Sequence, residues 1–293
     1  MRFIRLFIRH YLLAIQFFTR IPVTGRLAIW VGFSPEMLRA SAAHFPGVGV
    51  LVGGLVAALT ACILMFLPQT SPLSPLVAAV LGTVFSVMLT GAFHEDGLAD
   101  VADGLGGTTG GIENRERALE IMKDSRVGAF GAIAVVLILM TKVSLLALIG
   151  DVRPAVMVIG IFAAHVVSRT LPLLLIRLLP HVGDVAGSKS KPLADQISGF
   201  SLFIAFIWLF MALFLYVAGV FIAYGAINMI AILVILANLT IPMIAAGIAF
   251  FYMWRLFAKR LQGFTGDCLG ATQQVCEVAF YLGLALSLSQ SLA

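Results

Sequence analysis

Charged residues are scarce in this chain. Only 11% of its 293 residues are Asp, Glu, Lys or Arg, whereas 61% are hydrophobic. A soluble domain covers its core with polar surface and typically carries about 25% charged residues. The shortage excludes an ordinary soluble globule and indicates a protein whose solvent is largely lipid.

Cysteine is rare as well. Cys62, Cys268 and Cys276 are the three cysteines, and no two of them have C-x-x-C spacing. This excludes a disulfide framework and a thiolate metal site. The net charge is +5, but the basic residues flank apolar runs and form no stripe interleaved with aromatic residues. We therefore expect no nucleic-acid partner.

Long apolar runs are what the sequence has instead. A helix needs about 20 such residues to cross a bilayer, and seven runs approach that length: residues 46–67, 74–93, 128–149, 155–179, 200–223, 226–251 and 276–292. We predict an all-α, polytopic integral membrane bundle of about seven transmembrane helices. It forms a single membrane-embedded domain over residues 1–293.

Residues 1–22 differ from the spans because basic residues interrupt their apolar run. On a helix the basic residues share one face and most apolar residues lie away from it. This pattern predicts an amphipathic helix that lies in the membrane interface. A cleaved signal peptide is the alternative, although no small-residue cleavage site follows.

The positions of the basic residues predict the orientation. With a cytoplasmic N-terminus, 16 of the 19 Lys and Arg residues fall on the cytoplasmic side, as the positive-inside rule requires. We expect a protein of the cell inner membrane, with cytoplasmic chemistry in loops 94–127 and 253–275. Residues 187–192 are predicted to be a flexible polar loop.

One stretch concentrates negative charge. Four of the fourteen carboxylates lie between residues 95 and 103, and no Lys or Arg occurs from 94 to 114. On a helix Asp96, Asp100 and Asp103 share one face, while Glu95 points elsewhere. Hard divalent cations select oxygen ligands of this kind, so the face predicts a Mg²⁺ site. The alternative is a solvated acidic turn at the end of a span.

Cations that suit phosphate groups occur at two places. Lys123 and Arg126 would form a two-cation edge on a helix, fit for a pyrophosphate; the alternative is a solvated helix on which Glu120 pairs with Lys123. Arg169 lies near the middle of a predicted span, where a lone Arg needs a partner. We find no carboxylate within the span for it and expect an acidic loop or a bound anion; the alternative is a structural hydrogen bond to backbone carbonyls. Lys142 is expected to snorkel to its helix end.

A second glycine-punctuated segment contains Asp267 and is followed by Glu277. On a continuous helix the two carboxylates return close to the same azimuth. They could complete a metal or sugar site. Alternatively, Asp267 could simply form the N-cap of the last helix.

Several segments resemble signature blocks of the cobalamin synthase family, whose members are adenosylcobinamide-GDP ribazoletransferases. They are residues 94–104 (HEDGLADVADG), 119–128 (LEIMKDSRVG) and 265–271 (TGDCLGA), with shorter blocks at 17–22, 45–49 and 168–169. The blocks occur in the family's order and run from about residue 14 to 285. Two positions depart from the family's pattern: Glu95 stands where an apolar residue is common, and Gln274 where Glu is common.

The resemblance implies Mg²⁺-dependent phosphoryl transfer in late vitamin B12 synthesis. A ribose hydroxyl of α-ribazole or its 5′-phosphate would attack the cobinamide-linked phosphorus of adenosylcobinamide-GDP and expel GMP. Asp96, Asp100 and Asp103 would hold Mg²⁺, and His94 or Asp96 would accept the hydroxyl proton. The substrate-binding residues would be Lys123, Asp124, Arg126, Arg169, Asp267 and Glu277.

Two other functions remain open from the residues themselves. A membrane enzyme that joins CDP-activated lipids to alcohols has a related acidic motif, but Asp100 stands where that motif carries Arg. An ion-coupled transporter could use the acidic face as its coupling site. Transporter sites, however, favour the membrane midplane and paired repeats, and we find no repeat.

Overall fold

The computed structural model describes residues 2–68, 70–108, 112–183, 197–224 and 229–289. Within these ranges the chain is helical apart from connecting segments and one isolated bridge between His181 and Phe264. The helices are α1 (Arg2–Phe18), α2 (Gly25–Val31), α3 (Pro35–Ser41), α4 (Phe45–Phe66), α5 (Ser74–Thr90), α6 (Phe93–Gly106), α7 (Ile112–Lys123), α8 (Ala129–Val152), α9 (Pro154–Leu178), α10 (Gly199–Tyr224), α11 (Met229–Arg260) and α12 (Gly266–Ser289). The predicted all-α fold is confirmed.

Five helical segments of the described chain are long and apolar enough to cross a membrane: Pro35–Phe66, Ala129–Val152, Pro154–Leu178, Gly199–Ile222 and Leu233–Arg260. Counting α5 and α6 as one bent span gives six. The predicted seventh span, 276–292, lies mostly in α12, which begins earlier and does not pass the same test. The reason is that α12 carries Gln273, Gln274 and Glu277, which face the interior of the bundle and are buried there. The predicted loop at 187–192 lies outside the described residues.

The junction between α5 and α6 turns the chain by 88°. Gly91 (φ 67°) and Ala92 (φ 59°) both have left-handed backbone there, and a side chain at position 91 would collide with Arg20. α6 has 14 residues, so it is about 21 Å long and too short for about 30 Å of hydrocarbon. We therefore treat α6 as lying outside the spans, at the edge of the membrane.

α9 and α12 form the centre of the bundle. They contact each other, α4 and α10 pack on α9, and α6 and α11 pack on α12. The outer helices α8 and α10 keep large apolar side chains exposed, among them Phe130, Phe210 and Phe214. An apolar exterior around a partly polar centre is the arrangement expected of a helical bundle in lipid.

The amphipathic helix predicted in residues 1–22 is α1. Its second half is buried against the bundle through Leu13, Ala14 and Phe18, whereas Ile4 and Ile8 in the first half are exposed. α1 contacts α3 and α4. The end of α1 therefore lies beside the start of α4 and close to the junction of α5 and α6.

Candidate active site

Three aspartates follow one face of α6. Asp96 is exposed, and Asp100 and Asp103 are half-buried. Glu95 is only 6% exposed and contacts α12 through its hydrogen bond with Gln274. The helical spacing therefore separates the three aspartates from the one buried glutamate.

Glycines bring α12 against this helix. A Cβ at Gly97 would lie 2.8 Å from the carbonyl oxygen of Asp267, and one at Gly270 would lie 3.3 Å from the Cα of His94. Backbone atoms cannot yield as a flexible side chain can, so position 97 requires glycine. The close approach places Asp267 beside the aspartates of α6. We call Asp96, Asp100, Asp103 and Asp267 the acidic cluster.

The members of the acidic cluster repel one another. Burial, and then the negative charges of Asp267, Asp96 and Asp103, raise the pKa of Asp100 to about 7. Burial also raises the pKa of Asp267, to which the charge of Asp96 adds. A cation bound at this place would relieve the repulsion.

Mg²⁺ suits the donor chemistry of the acidic cluster. Its donors are hard carboxylate oxygens with unrelieved negative charge, the ligands that Mg²⁺ prefers. Among the described residues, no group of three or more His, Cys, Asp or Glu side chains is arranged to hold a metal ion. The residues therefore fit the ion by chemistry and charge, and their side chains do not enclose it as they stand.

Asp103 also has a structural contact that the sequence did not indicate. Its carboxylate accepts hydrogen bonds from the backbone N–H of Gly128 over 2.7 Å and from that of Gly131 over 2.8 Å. These amides belong to the N-cap residue and the first turn of α8, whose N-terminus favours a negative charge. Asp103 thus caps α8 from a distant part of the chain.

The N-cap of α12 is Thr265 rather than Asp267. The helix begins at Gly266, and the backbone N–H of Cys268 donates to the Thr265 hydroxyl over 3.5 Å. The same hydroxyl donates to the Asp267 carboxylate over 3.2 Å. The alternative that Asp267 is merely the N-cap is therefore wrong, and its carboxylate belongs to the first turn of the helix.

The segments 94–127 and 253–275 meet at one end of the bundle. The guanidinium of Arg260, at the end of α11, donates to the carbonyl oxygens of Leu105 and Thr108. Arg115 on α7 donates to the carbonyl oxygen of Leu261 over 2.7 Å. Two predicted loops therefore form one surface, built largely from α6, α7 and the start of α12.

The cationic segment after α7 is exposed. The carboxylate of Asp124 accepts hydrogen bonds from the guanidinium of Arg126. This interaction holds the pKa of Asp124 below its usual value. Lys123, the last residue of α7, is also exposed. Glu120, which the alternative interpretation pairs with Lys123, lies 2.6 Å from the guanidinium of Arg117. These side chains are accessible to a substrate, although they lie outside the acidic cluster.

Glu277 lies at the centre of a buried polar cluster. It does not join Asp267 in one site, as the sequence suggested. Its carboxylate lies 2.9 Å from Nζ of Lys142 and 3.9 Å from Nε2 of His165. It also accepts hydrogen bonds from Gln273 over 2.7 Å and from Tyr281 over 3.1 Å. The expectation that Lys142 snorkels is wrong: this residue is 2% exposed because it reaches inward to an ion pair.

Arg169 belongs to the same interior. It is 1% exposed, and its Nη1 donates to Nδ1 of His165 over 2.7 Å and to the His165 carbonyl oxygen over 3.0 Å. The negative charges of Glu277 and Glu95 act on it, so carboxylates lie near it inside the bundle, contrary to expectation, while its hydrogen bonds to His165 include one to a backbone carbonyl, as the alternative has it. Arg169 is thus buried among protein groups in this structure.

Glu95, Gln273 and Gln274 are parts of this interior that sequence reasoning missed. Each is buried, and they form a chain of hydrogen bonds from Ser168 on α9 to Glu95 on α6. The only available signal was polar residues in an apolar context, which marks the inside of a membrane bundle. It does not identify which groups pair.

The chain is similar to known proteins over almost its whole length. A model of the family "Cobalamin-5-phosphate synthase" matches residues 10–285. An adenosylcobinamide-GDP ribazoletransferase of Albidiferax ferrireducens is 67% identical, with 96% of this chain and 99% of the relative covered. The enzymes of that name from Polaromonas sp. and Vibrio cholerae are 60% and 39% identical; the alignments cover 96% and 93% of this chain and 98% and 91% of the relatives. No solved structure matches.

The matched range includes the acidic cluster and the buried polar cluster. The agreement extends from the blocks that carry the resemblance to the spans between them. The chain therefore belongs to the cobalamin-5-phosphate synthase family and is a transferase of cobalamin biosynthesis.

Proposed function

We propose that this protein transfers the adenosylcobinamide phosphate group of adenosylcobinamide-GDP to α-ribazole or α-ribazole 5′-phosphate. A ribose hydroxyl oxygen of the acceptor forms a bond to the cobinamide-linked phosphorus. The bond from that phosphorus to the bridging oxygen breaks, and GMP leaves with the bridging oxygen. The products are GMP and adenosylcobalamin or its 5′-phosphate. The names of the related enzymes support the donor and the acceptor class.

The observation that carries the proposal is the acidic cluster at the meeting of α6 and α12. Phosphoryl transfer asks little covalent chemistry of the protein; it requires positioning and neutralisation of charge. Burial and the charges of the other three carboxylates raise the pKa of Asp100 to about 7, so the acidic cluster is a place where a divalent cation is favoured. We propose Mg²⁺ as that cation, with Asp96, Asp100, Asp103 and Asp267 as its candidate ligands.

The chemistry that Mg²⁺ supplies when bound is neutralisation of the pyrophosphate and of the charge on the departing GMP. The protein supplies the proton acceptor, which we assign to Asp96 because it is exposed. His94, the other candidate, is 1% exposed. Lys123 and Arg126 would bind phosphate oxygens as substrate-binding cations, since their side chains are accessible; Asp124 would hold Arg126 in place. For Arg169 and Glu277, buried among protein groups, we propose support of the site from the interior.

We further propose that this surface faces the cytoplasm and that the protein spans the cell inner membrane. The distribution of Lys and Arg between the ends of the spans supports this orientation. Both water-soluble substrates and the released GMP would then enter and leave on the cytoplasmic side. The apolar exteriors of α8 and α10 would face the lipid.

The direct test is GMP release by the purified protein in nanodiscs, given adenosylcobinamide-GDP, α-ribazole and Mg²⁺. Release should require both substrates, should stop with EDTA and should fall at least about 100-fold in Asp100→Asn, the size expected when a group that stabilises transition-state charge is removed. Asp151→Asn is the matched control, because Asp151 is an exposed carboxylate at the far end of α8.

Each contrary outcome has its own meaning. GMP release in the presence of EDTA would refute the metal assignment, but the proposed reaction itself would still be supported. No release from folded wild-type protein would refute the reaction, and turnover of a CDP-activated lipid by the same preparation would favour the related membrane phosphotransferases. Full activity of Asp100→Asn would show that the acidic cluster is not the reaction site.

A further inference from the structure

An aromatic cavity lies at the starts of α6 and α12, the two helices that carry the acidic cluster. Four phenylalanines line it together with His94: Phe17 and Phe18 at the end of α1, Phe45 at the start of α4, and Phe93 at the start of α6. Residues of α9 and of the first turns of α12, including Gly266, complete the wall. Gly266 precedes Asp267, and His94 is two positions before Asp96 along the chain. The cavity therefore shares these two helix starts with Asp96 and Asp267 of the acidic cluster.

The lining has the geometry of a site for a flat ring. Phe18 stacks on Phe45, with ring centroids 4.2 Å apart and an interplanar angle of 27°. His94 stacks on the same Phe45 with an interplanar angle of 14°. Phe17 and Phe93 meet edge to face at 73°. Aromatic rings prefer such stacked and edge-to-face neighbours, so a planar heterocycle would find favourable partners on several sides.

One polar atom in this apolar lining has no partner. His94 is 1% exposed, and its Nε2 makes no hydrogen bond within the described part of the protein. A buried polar atom without a partner costs about 1–3 kcal/mol, so a ligand that supplies one complementary atom would be favoured. A ligand with many polar edge atoms would be disfavoured, because the rest of the wall is apolar and cannot form hydrogen bonds with those atoms.

The geometry points to this cavity as the binding site for the base of the acceptor nucleoside, an inference that rests on the proposed function. The dimethylbenzimidazole ring of α-ribazole is flat and largely apolar, and it has one free ring nitrogen to accept a hydrogen bond from Nε2 of His94. Guanine, the base of the donor, has several donors and acceptors on its edge and suits the cavity poorly. With the base in the cavity, the attached ribose lies at the acidic cluster, where its hydroxyl must react.

The cavity must open to admit the ring. It holds about 30 Å³, room for about one or two water molecules, whereas a cavity that binds benzene has about 150 Å³. Phe93 and Phe17 form the outer wall, and their movement can supply the extra volume. Phe93 is 38% exposed and Phe17 is half-buried, so both rings can rotate outward. Phe18 and Phe45, which are nearly buried, would remain as the floor.

The kinetic test separates the two substrates. Phe93→Ala and His94→Phe should each raise the KM for α-ribazole about tenfold, the loss expected for one aromatic contact or one hydrogen bond. The KM for adenosylcobinamide-GDP should change less than twofold. Phe66→Ala is the matched control, because Phe66 is 85% exposed at the far end of α4. A raised KM for the donor, or an unchanged KM for both substrates, would overturn the assignment.

A binding test does not depend on turnover. Saturation-transfer NMR with wild-type protein in nanodiscs and free dimethylbenzimidazole should show transfer to the ring protons. The signal should fall at least fivefold in Phe93→Ala and His94→Phe and should remain in Phe66→Ala. Equal transfer in all four proteins, or none in the wild type, would overturn the cavity proposal. Absence of GMP release with normal transfer would refute the proposed reaction alone.

Discussion

The side-chain amide of Gln274 on α12 donates a hydrogen bond of 3.0 Å to the carboxylate of Glu95 on α6. Both residues are buried, and the same amide also donates to Oε1 of Gln273 over 3.0 Å. These are the two positions at which the sequence departs from the pattern it resembles. The two unusual residues are hydrogen-bonded to each other, so the contact between α6 and α12 contains one carboxylate and one amide at this point.

Exchange of the two side chains should test this pairing. Gln274→Glu places two carboxylates together in the interior and should cost about 3–5 kcal/mol of stability, as an uncompensated buried charge does. The double variant Glu95→Gln/Gln274→Glu restores one carboxylate and one amide. It should recover at least about 1 kcal/mol relative to Gln274→Glu, a coupling typical of residues in contact. Unfolding midpoints of the detergent-solubilised proteins measure the difference, and strictly additive effects would contradict the pairing.

Two glycines in helices should respond to alanine with opposite sign. Gly97→Ala puts a Cβ 2.8 Å from the backbone of α12 and should destabilise by about 1–3 kcal/mol through overpacking. Because it separates α6 from Asp267, it should also lower GMP release. Gly54→Ala on α4 meets nothing within 4 Å and should be neutral or stabilising by up to about 1 kcal/mol. Equal stability of the two variants would show that α6 and α12 do not approach this closely.

Asp103 should stabilise the start of α8 without any metal. Asp103→Asn keeps one acceptor oxygen but turns an amide N–H toward a second N–H donor, so we expect a loss of about 1–2 kcal/mol. The unfolding midpoint should fall already in EDTA, through loss of the cap, and should fall further in Mg²⁺ because the proposed ligand set also loses a carboxylate. The control is Asp151→Asn, at the opposite end of α8, which should not lower the midpoint. A loss that appears only with Mg²⁺ would assign Asp103 to the metal and not to the helix cap.

The sequence was sufficient for the class of fold and for one face of the site. Apolar runs predict spans because each must satisfy its backbone within one helix, and the spacing of Asp96, Asp100 and Asp103 predicts their common face. α12 shows where this reasoning stops. Its glutamines and Glu277 lower its hydropathy, yet they are buried among other helices, and hydropathy cannot distinguish that environment from water.

Pairings between distant segments were the part that the sequence could not supply. Lys142 and Glu277 are far apart in the chain and meet at 2.9 Å, and Asp103 caps a helix that begins 26 residues later. Such contacts depend on how the helices cross, which is set by small residues such as Gly97 and Gly270. The sequence shows that these glycines exist, but not which helix each one meets.

The raised pKa of Asp100 should make the stability of the protein depend on pH. Burial and the charges of Asp267, Asp96 and Asp103 raise this pKa from 3.8 to about 7, so between these values the folded protein binds a proton that the unfolded chain does not. Stability contributed by that proton is present at low pH and is lost as pH rises to about 7. We expect the unfolding midpoint of the wild type to fall between pH 5 and pH 8, measured in EDTA, and to fall less in Asp100→Asn.

Added Mg²⁺ should act in the opposite direction, because a cation stabilises the folded state in which the acidic cluster is ionised. The midpoint of the wild type should rise with Mg²⁺ more at pH 8 than at pH 5, since protons compete for the same carboxylates at low pH. Asp100→Asn should show a smaller rise, and Asp151→Asn the same rise as the wild type. Comparing the variants at each pH removes the contribution that the five histidines make equally in all of them. An equal rise with Mg²⁺ at both pH values, unchanged in Asp100→Asn, would place any bound cation away from the acidic cluster.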